Sequence, residues 1–100
     1  MVDLSRIEGF DWDAGNSHKS VQKHGVSRAE AEQIFFNAPL LIADDVDHSG
    51  GESRFHAMGR TDGEKLLHVT FTLRGDDRFI RVISARTMNA RERLRYEQEA

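Results

Sequence analysis

From Leu66 to Arg74 the chain alternates without a break: Leu67, Val69, Phe71 and Leu73 are apolar, and His68, Thr70, Thr72 and Arg74 are polar. A period of two sends the first set to one face and the second to the other, so the segment reads as a half-buried β-strand. The same period extends either side of it. Leu40–Val46, Ser53–Arg60 and Phe79–Arg86 are further strands, the last with Ile80 and Val82 as inward candidates. Turn signals separate them: Asp47-His48-Ser49-Gly50-Gly51, then Thr61-Asp62-Gly63-Glu64, then Gly75-Asp76-Asp77. Before residue 40 the pattern is helical. Ser27 followed by Glu30 is a capping box, and Ala31, Ile34 and Phe35 form the stripe of a helix that ends before Pro39. Upstream, Asn16–His24 is a short helix stopped by Gly25, and Phe10–Asp13 is a short strand burying Phe10 and Trp12. Asn89 with Glu92 repeats the capping box and opens a charged terminal helix, Ala90–Glu99.

This order predicts an α+β fold, a curled antiparallel sheet with helices packed on one face. The other face then carries the polar halves of the strands. Strand parity puts Arg54 with His56, groups His68, Thr70, Thr72 and Arg74, and sets Arg81 opposite the Ile80/Val82 face. Such a surface suits a phosphodiester, with cations for the phosphate, donors for its oxygens and imidazole for proton transfer. Ordinary strand propensity would fill a solvated face with Thr and Arg as well.

Composition narrows the choice. One hundred residues with 38% hydrophobic and 31% charged side chains make one domain, residues 1–100, with a thin core. No cysteine is present, which excludes disulfides, thiolate metal sites and a cysteine nucleophile, and fits a reducing cytoplasm. The longest apolar run, Leu40–Ala43, is too short to span a membrane, and the first residues do not read as a secretion signal. The net charge of −3 argues against coating nucleic acid by bulk attraction. The cations are unevenly placed: four Lys/Arg face nine Asp/Glu in residues 1–50, and ten face eight in 51–100. Eleven of the fourteen are Arg, the side chain suited to two-pronged contact with phosphate or carboxylate.

The five His, at 18, 24, 48, 56 and 68, lack zinc-site spacing, so no metal and no cofactor is expected. Gly50-Gly51 lacks the Lys and helix of a nucleotide loop, and no Ser sits in a nucleophile elbow. Lys23-His24-Gly25 places a cation and an imidazole in the last turn of a helix, as a phosphate clamp, a proton donor or simply a cap. Arg86, at the end of the last strand, either crosses the mouth of the open face or pairs with Glu92 or Glu97. The terminal helix offers only Leu94 and Tyr96 as large apolar groups, fitting a partner-binding element or a solvated edge helix.

Taken in order, Phe10-Asp11-Trp12-Asp13, Lys23-His24-Gly25-Val26-Ser27, Glu30-Ala31 with Ile34-Phe35, Glu52-Ser53-Arg54, Gly59, Phe71-Thr72-Leu73-Arg74, Ile80–Arg86, and Glu92-Arg93 with Tyr96 resemble the BrnT family. These are ribonuclease toxins of bacterial type II toxin–antitoxin pairs, and the resemblance covers roughly residues 8–97. One departure stands out. Many members carry Lys and Asn four and eight residues after the Trp, where this chain has Asn16 and Ser20, with Lys19 in a neighbouring turn.

The resemblance implies a fold like RelE toxins and small microbial ribonucleases, and metal-independent endoribonuclease activity that inhibits growth. It implies a cognate antitoxin, BrnA-like or another small DNA-binding protein, that neutralises the toxin by direct binding. The complex would bind operator DNA through the antitoxin. Metal-free scission uses the neighbouring 2′-hydroxyl as nucleophile, with His24 or Glu52 as base and His24 or Lys23 as acid. Arg54, Arg74, Arg81 and Arg86 would supply charge, His68, Thr72 and Lys19 would contact substrate, and Trp12 or Phe55 would stack on a base or sit in the core. Two other classes fit the same residues: a non-catalytic interaction domain, and an RNA- or DNA-binding regulator.

Overall fold

The computed structural model describes residues 3–13, 24–45 and 53–99. The expected helix over Asn16–His24 and the turn over Asp47–Gly51 lie largely or wholly outside these residues. Five strands form one open sheet in the order β1-β5-β4-β3-β2: β1 (Gly9–Phe10), β2 (Leu41–Asp44), β3 (Phe55–Arg60), β4 (Leu66–Arg74) and β5 (Phe79–Thr87). β2 to β5 form an antiparallel meander, as the turn signals predict. β1 adds to the far edge parallel to β5, with Gly9 opposite Phe79, so the sheet is mixed and not wholly antiparallel. Parallel pairing needs a long connection, and here β2, β3 and β4 lie between the two strands in sequence.

The capping box forms as read. Ser27 Oγ accepts from the Glu30 N–H at 3.1 Å, and Glu30 Oε1 accepts from the Ser27 N–H at 3.0 Å. It opens α1 (Arg28–Gln33), which tightens into a 3₁₀ turn over Ile34–Phe36. Gly25, just before it, adopts φ 66°, the left-handed region that suits glycine. α1 and its 3₁₀ turn press Ala31 and Ile34 onto the inner sheet face, where Ala57, Leu67, Val69, Phe71, Ile80, Val82 and Ala85 are fully buried. The approach is close: a Cβ on Gly59 would lie 3.0 Å from Ile34 Cβ. Phe35 meets Phe71 edge-on at 5.3 Å and Phe10 at 5.7 Å, extending the core to β1.

The second helix, α2 (Ala90–Glu99), differs in attachment. The Asn89 side chain accepts from the Glu92 N–H at 2.8 Å and Glu92 returns a contact to the Asn89 N–H at 2.9 Å. Tyr96 is buried and its hydroxyl donates to the Pro39 carbonyl at 2.5 Å. Through Glu92 this helix reaches the outer face of the sheet, so the α+β class holds while the two helices do not share a face.

One irregularity decides what that outer face contains. Thr72 pairs with Arg81 and Phe71 with Val82, but Thr70 pairs with Ser84, leaving Ile83 as an extra residue in β5. Such a bulge reverses the side-chain parity beyond it. Uninterrupted alternation would send Arg86 inward with Ile80 and Val82. The bulge instead sets Arg86 opposite His68 on the outer face.

Candidate active site on the open face of the sheet

Cross-strand partners share a face, so the registers give the outer surface directly. One row reads Leu41, Met58, His68, Arg86, and the next reads Ala43, His56, Thr70, Ser84. The two imidazoles lie on adjacent strands in adjacent rows. His68 Nε2 is 3.0 Å from His56 Nδ1, which also lies 3.1 Å from Thr70 Oγ1.

Each imidazole is tied at its other nitrogen to a carboxylate. His56 Nε2 lies 3.1 Å from Asp45 Oδ2, and His68 Nδ1 lies 2.6 Å from Glu92 Oε2. Glu92 also takes both guanidinium nitrogens of Arg86, at 2.7 and 2.8 Å. Arg86 Nη2 and His68 Nδ1, 2.7 Å apart, converge on the same oxygen. The result is a continuous chain Asp45–His56–His68–Glu92–Arg86. Of its two imidazoles His56 is the more exposed, at 34% of its side-chain area against 14% for His68.

The electrostatics follow the contacts. The bidentate Arg86 guanidinium holds the Glu92 carboxyl down to about 2, against an ordinary 4.5, with the Asn89 N–H and the His68 charge adding to it and burial opposing. Burial is the main influence on His68 and lowers its pKa, although the Glu92 charge pulls the other way. Hydrogen counting then constrains the pair. Both carboxylate contacts are attractive only through N–H groups, and the contact between the rings needs one further hydrogen.

Beside the chain runs a groove of about 680 Å³ between α2 and the β2–β3 edge, lined by Leu41, Met58, both His, Arg91 and Arg95 among others. Arg91 makes no hydrogen bond or ion pair among the described residues.

Of the residues expected to act, His68 and Arg86 fall within the cluster. Of the two settings open to Arg86, the structure realises the pairing with Glu92. Arg54 precedes β3 two residues before His56, carries its carbonyl to the Asp45 N–H at 2.9 Å, and keeps its guanidinium free of partners among the described residues. Thr72 is a correction: it is buried and donates to the Ser53 carbonyl at 2.6 Å, so it braces the backbone and offers nothing to a ligand. Arg81 also departs from expectation, because Asp13 at 2.7 Å and Asp11 at 3.6 Å hold its guanidinium at the β1 side. Trp12 is held by α1, donating to Glu32 Oε2 at 2.6 Å beneath the Arg28 guanidinium, and Phe55 packs on Phe71. Arg74 is exposed at the far end of β4, and His24 is exposed outside the cluster. Lys19, Lys23 and Glu52 lie outside the described residues.

Asp45, His56 and Glu92 were not among the expected site residues. His56 was legible by parity with Arg54, and Glu92 carried the capping signal. Nothing in local sequence marks Asp45.

A five-stranded open mixed sheet, with helical residues sealing one face and a charged cluster on the other, defines a small α+β domain. The same fold occurs in the 1.1 Å crystal structure of the Brucella abortus ribonuclease toxin BrnT, at a TM-score of 0.59 and 23% identity, over 81% of this chain and 96% of that one. The family model for the ribonuclease toxin BrnT of type II toxin–antitoxin systems matches residues 12–92. The chain belongs to that family. Among curated proteins none matches it in sequence. Membership of a type II system implies a cognate antitoxin. No helix among the described residues is long and apolar enough to cross a membrane.

Proposed function

We propose that this chain is an endoribonuclease that cleaves RNA by attack of a 2′-hydroxyl on the adjacent phosphorus, and that the His56–His68 pair holds the transferable proton. The 2′-oxygen–phosphorus bond forms and the bond to the 5′-oxygen breaks, giving a 2′,3′-cyclic phosphate and a free 5′-hydroxyl. The observation that carries this reading is the imidazole pair at 3.0 Å with a carboxylate at each end. Burial disfavours charge on His68, so the ring proposed as proton donor is His56, the more exposed of the two. His56 then protonates the departing 5′-oxygen. Asp45 and the His68–Glu92 unit hold its ring and compensate its charge.

Attacking and leaving oxygens lie on opposite sides of the phosphorus. Rings this close therefore act as one proton-holding unit and leave the 2′-hydroxyl to a different base, for which Glu52 is the proposed residue. Arg54, unpaired among the described residues, is proposed to stabilise the phosphorane. Arg86, saturated by Glu92, positions His68 and does not itself grip phosphate. In this reading the antitoxin silences the enzyme by direct binding and carries the complex to operator DNA, in the cytoplasm.

The test is RNA integrity on a gel with the purified chain. His56→Ala is expected to lower cleavage by about 10²–10⁴-fold, the usual worth of a proton-transfer group, with its thermal midpoint kept. Cleavage by the unaltered chain is expected to persist in EDTA. Full cleavage by folded His56→Ala would refute the assignment. Intact RNA at every concentration of the unaltered chain would favour a protein-interaction domain.

A further inference from the structure

Cleavage chemistry alone leaves the groove between α2 and the β2–β3 edge unexplained. Its floor carries the cross-strand pair Leu41 and Met58 on the outer face, in the same row as His68. Its far wall carries Arg91 and Arg95, one helical turn apart on α2. Among the described residues Arg91 is free of partners and Arg95 bonds only to Glu99, at 3.0 Å, an exposed pair of little energetic worth. Leu40, Ile42 and Ala43 extend the apolar lining along β2, and Asp44, Glu92 and Glu99 place carboxylates around it. The Leu41–Met58 floor, with imidazoles on one side and guanidinium groups on the other, matches a planar base with a phosphate attached.

We infer that this groove is a subsite for the nucleoside whose 3′-phosphate is cut, its base lying on Met58 and Leu41 and its phosphate directed at His56. The inference rests on the proposed nuclease reading and extends it to how substrate is held. Three features argue for this occupant. The volume of about 680 Å³ has room for a nucleotide together with its flanking phosphate. The Arg91 guanidinium, unpaired among the described residues, is placed to meet a phosphodiester, and guanidinium planes also stack on bases. Access decides the side of approach. Glu92 closes the Arg86 end of the row, so a ribose must come to the imidazoles from the Met58 end. Met, flexible and polarisable, accepts either a purine or a pyrimidine face.

The experiment is NMR titration of the full chain, following the Met58 methyl group and the two imidazoles, with each of the four nucleoside 3′-monophosphates and with inorganic phosphate. The nucleotides are expected to move Met58 and both imidazoles and to bind about tenfold tighter than phosphate, which moves the imidazoles alone. Reversing the wall charge with Arg91→Glu, at an exposed helix position, is expected to weaken nucleotide binding and raise KM for RNA while kcat stays within about twofold. Nucleotides that move the imidazoles but leave Met58 unshifted, or an Arg91→Glu variant with unchanged KM, would overturn the subsite and leave the nuclease reading intact. Failure of both phosphate and nucleotides to move the imidazoles would instead overturn the nuclease reading.

Discussion

Arg81 and Arg86 stand on the same strand and the same sheet face, and each is paired with carboxylate, yet the two ion pairs do different things. Arg81 meets Asp13 in an open setting, with the Asp13 side chain 53% exposed, and no imidazole among the described residues shares the contact. Arg86 meets Glu92 through two parallel bonds, and that carboxylate is itself capped to α2 and bonded to His68. The first fastens the segment after β1 to the sheet edge. The second joins a helix, a strand and an imidazole at one point. Charge pairing by itself says little about function, and what distinguishes Arg86 is the third partner held in a half-buried place.

Arg86→Ala has the largest expected effect, because it strands Glu92 among its remaining partners. A loss of about 2 kcal/mol is expected in urea unfolding, together with weakened cleavage because His68 loses its fixed neighbour.

Acid titration probes the Arg86 pair directly. The Glu92 carboxyl is depressed from 4.5 to about 2, so the stability it confers is complete above pH 4.5 and drains away as pH falls toward 2. His68, lowered by burial, acts in the same direction: protonation below its ordinary 6.5 favours the unfolded chain. Glu92→Gln should therefore differ most from the unaltered chain near pH 6, and the gap between their melting temperatures should shrink at pH 3. A gap independent of pH would refute the linkage. The smallest effect belongs to Arg81→Ala, expected to lower stability by less than about 1 kcal/mol, a loss that fades in 1 M salt. A larger, salt-independent loss would put Arg81 on a par with Arg86.

Much of the scaffold was legible in the chain. The alternation of Leu66–Arg74 and the two capping boxes reappear as β4 and at the starts of α1 and α2, because each depends on residues within a few positions of one another. Parity also placed His56, His68 and Thr70 on one face, where the registers confirm them. Parity misjudged what Thr72 does there. The residue lies in the expected alternation, but the passing Ser53 carbonyl captures its hydroxyl and buries it.

Local sequence thus determined the strands, turns, caps and apolar stripes, since these follow from short-range sterics and periodicity. Tertiary structure alone decided which polar groups meet. It did so through the register that sets His56 beside His68, the extra residue that turns Arg86 outward, and the helix that carries Glu92 to both. Each of these depends on contacts between segments far apart in sequence, where a shift of one residue exchanges the two faces of a sheet.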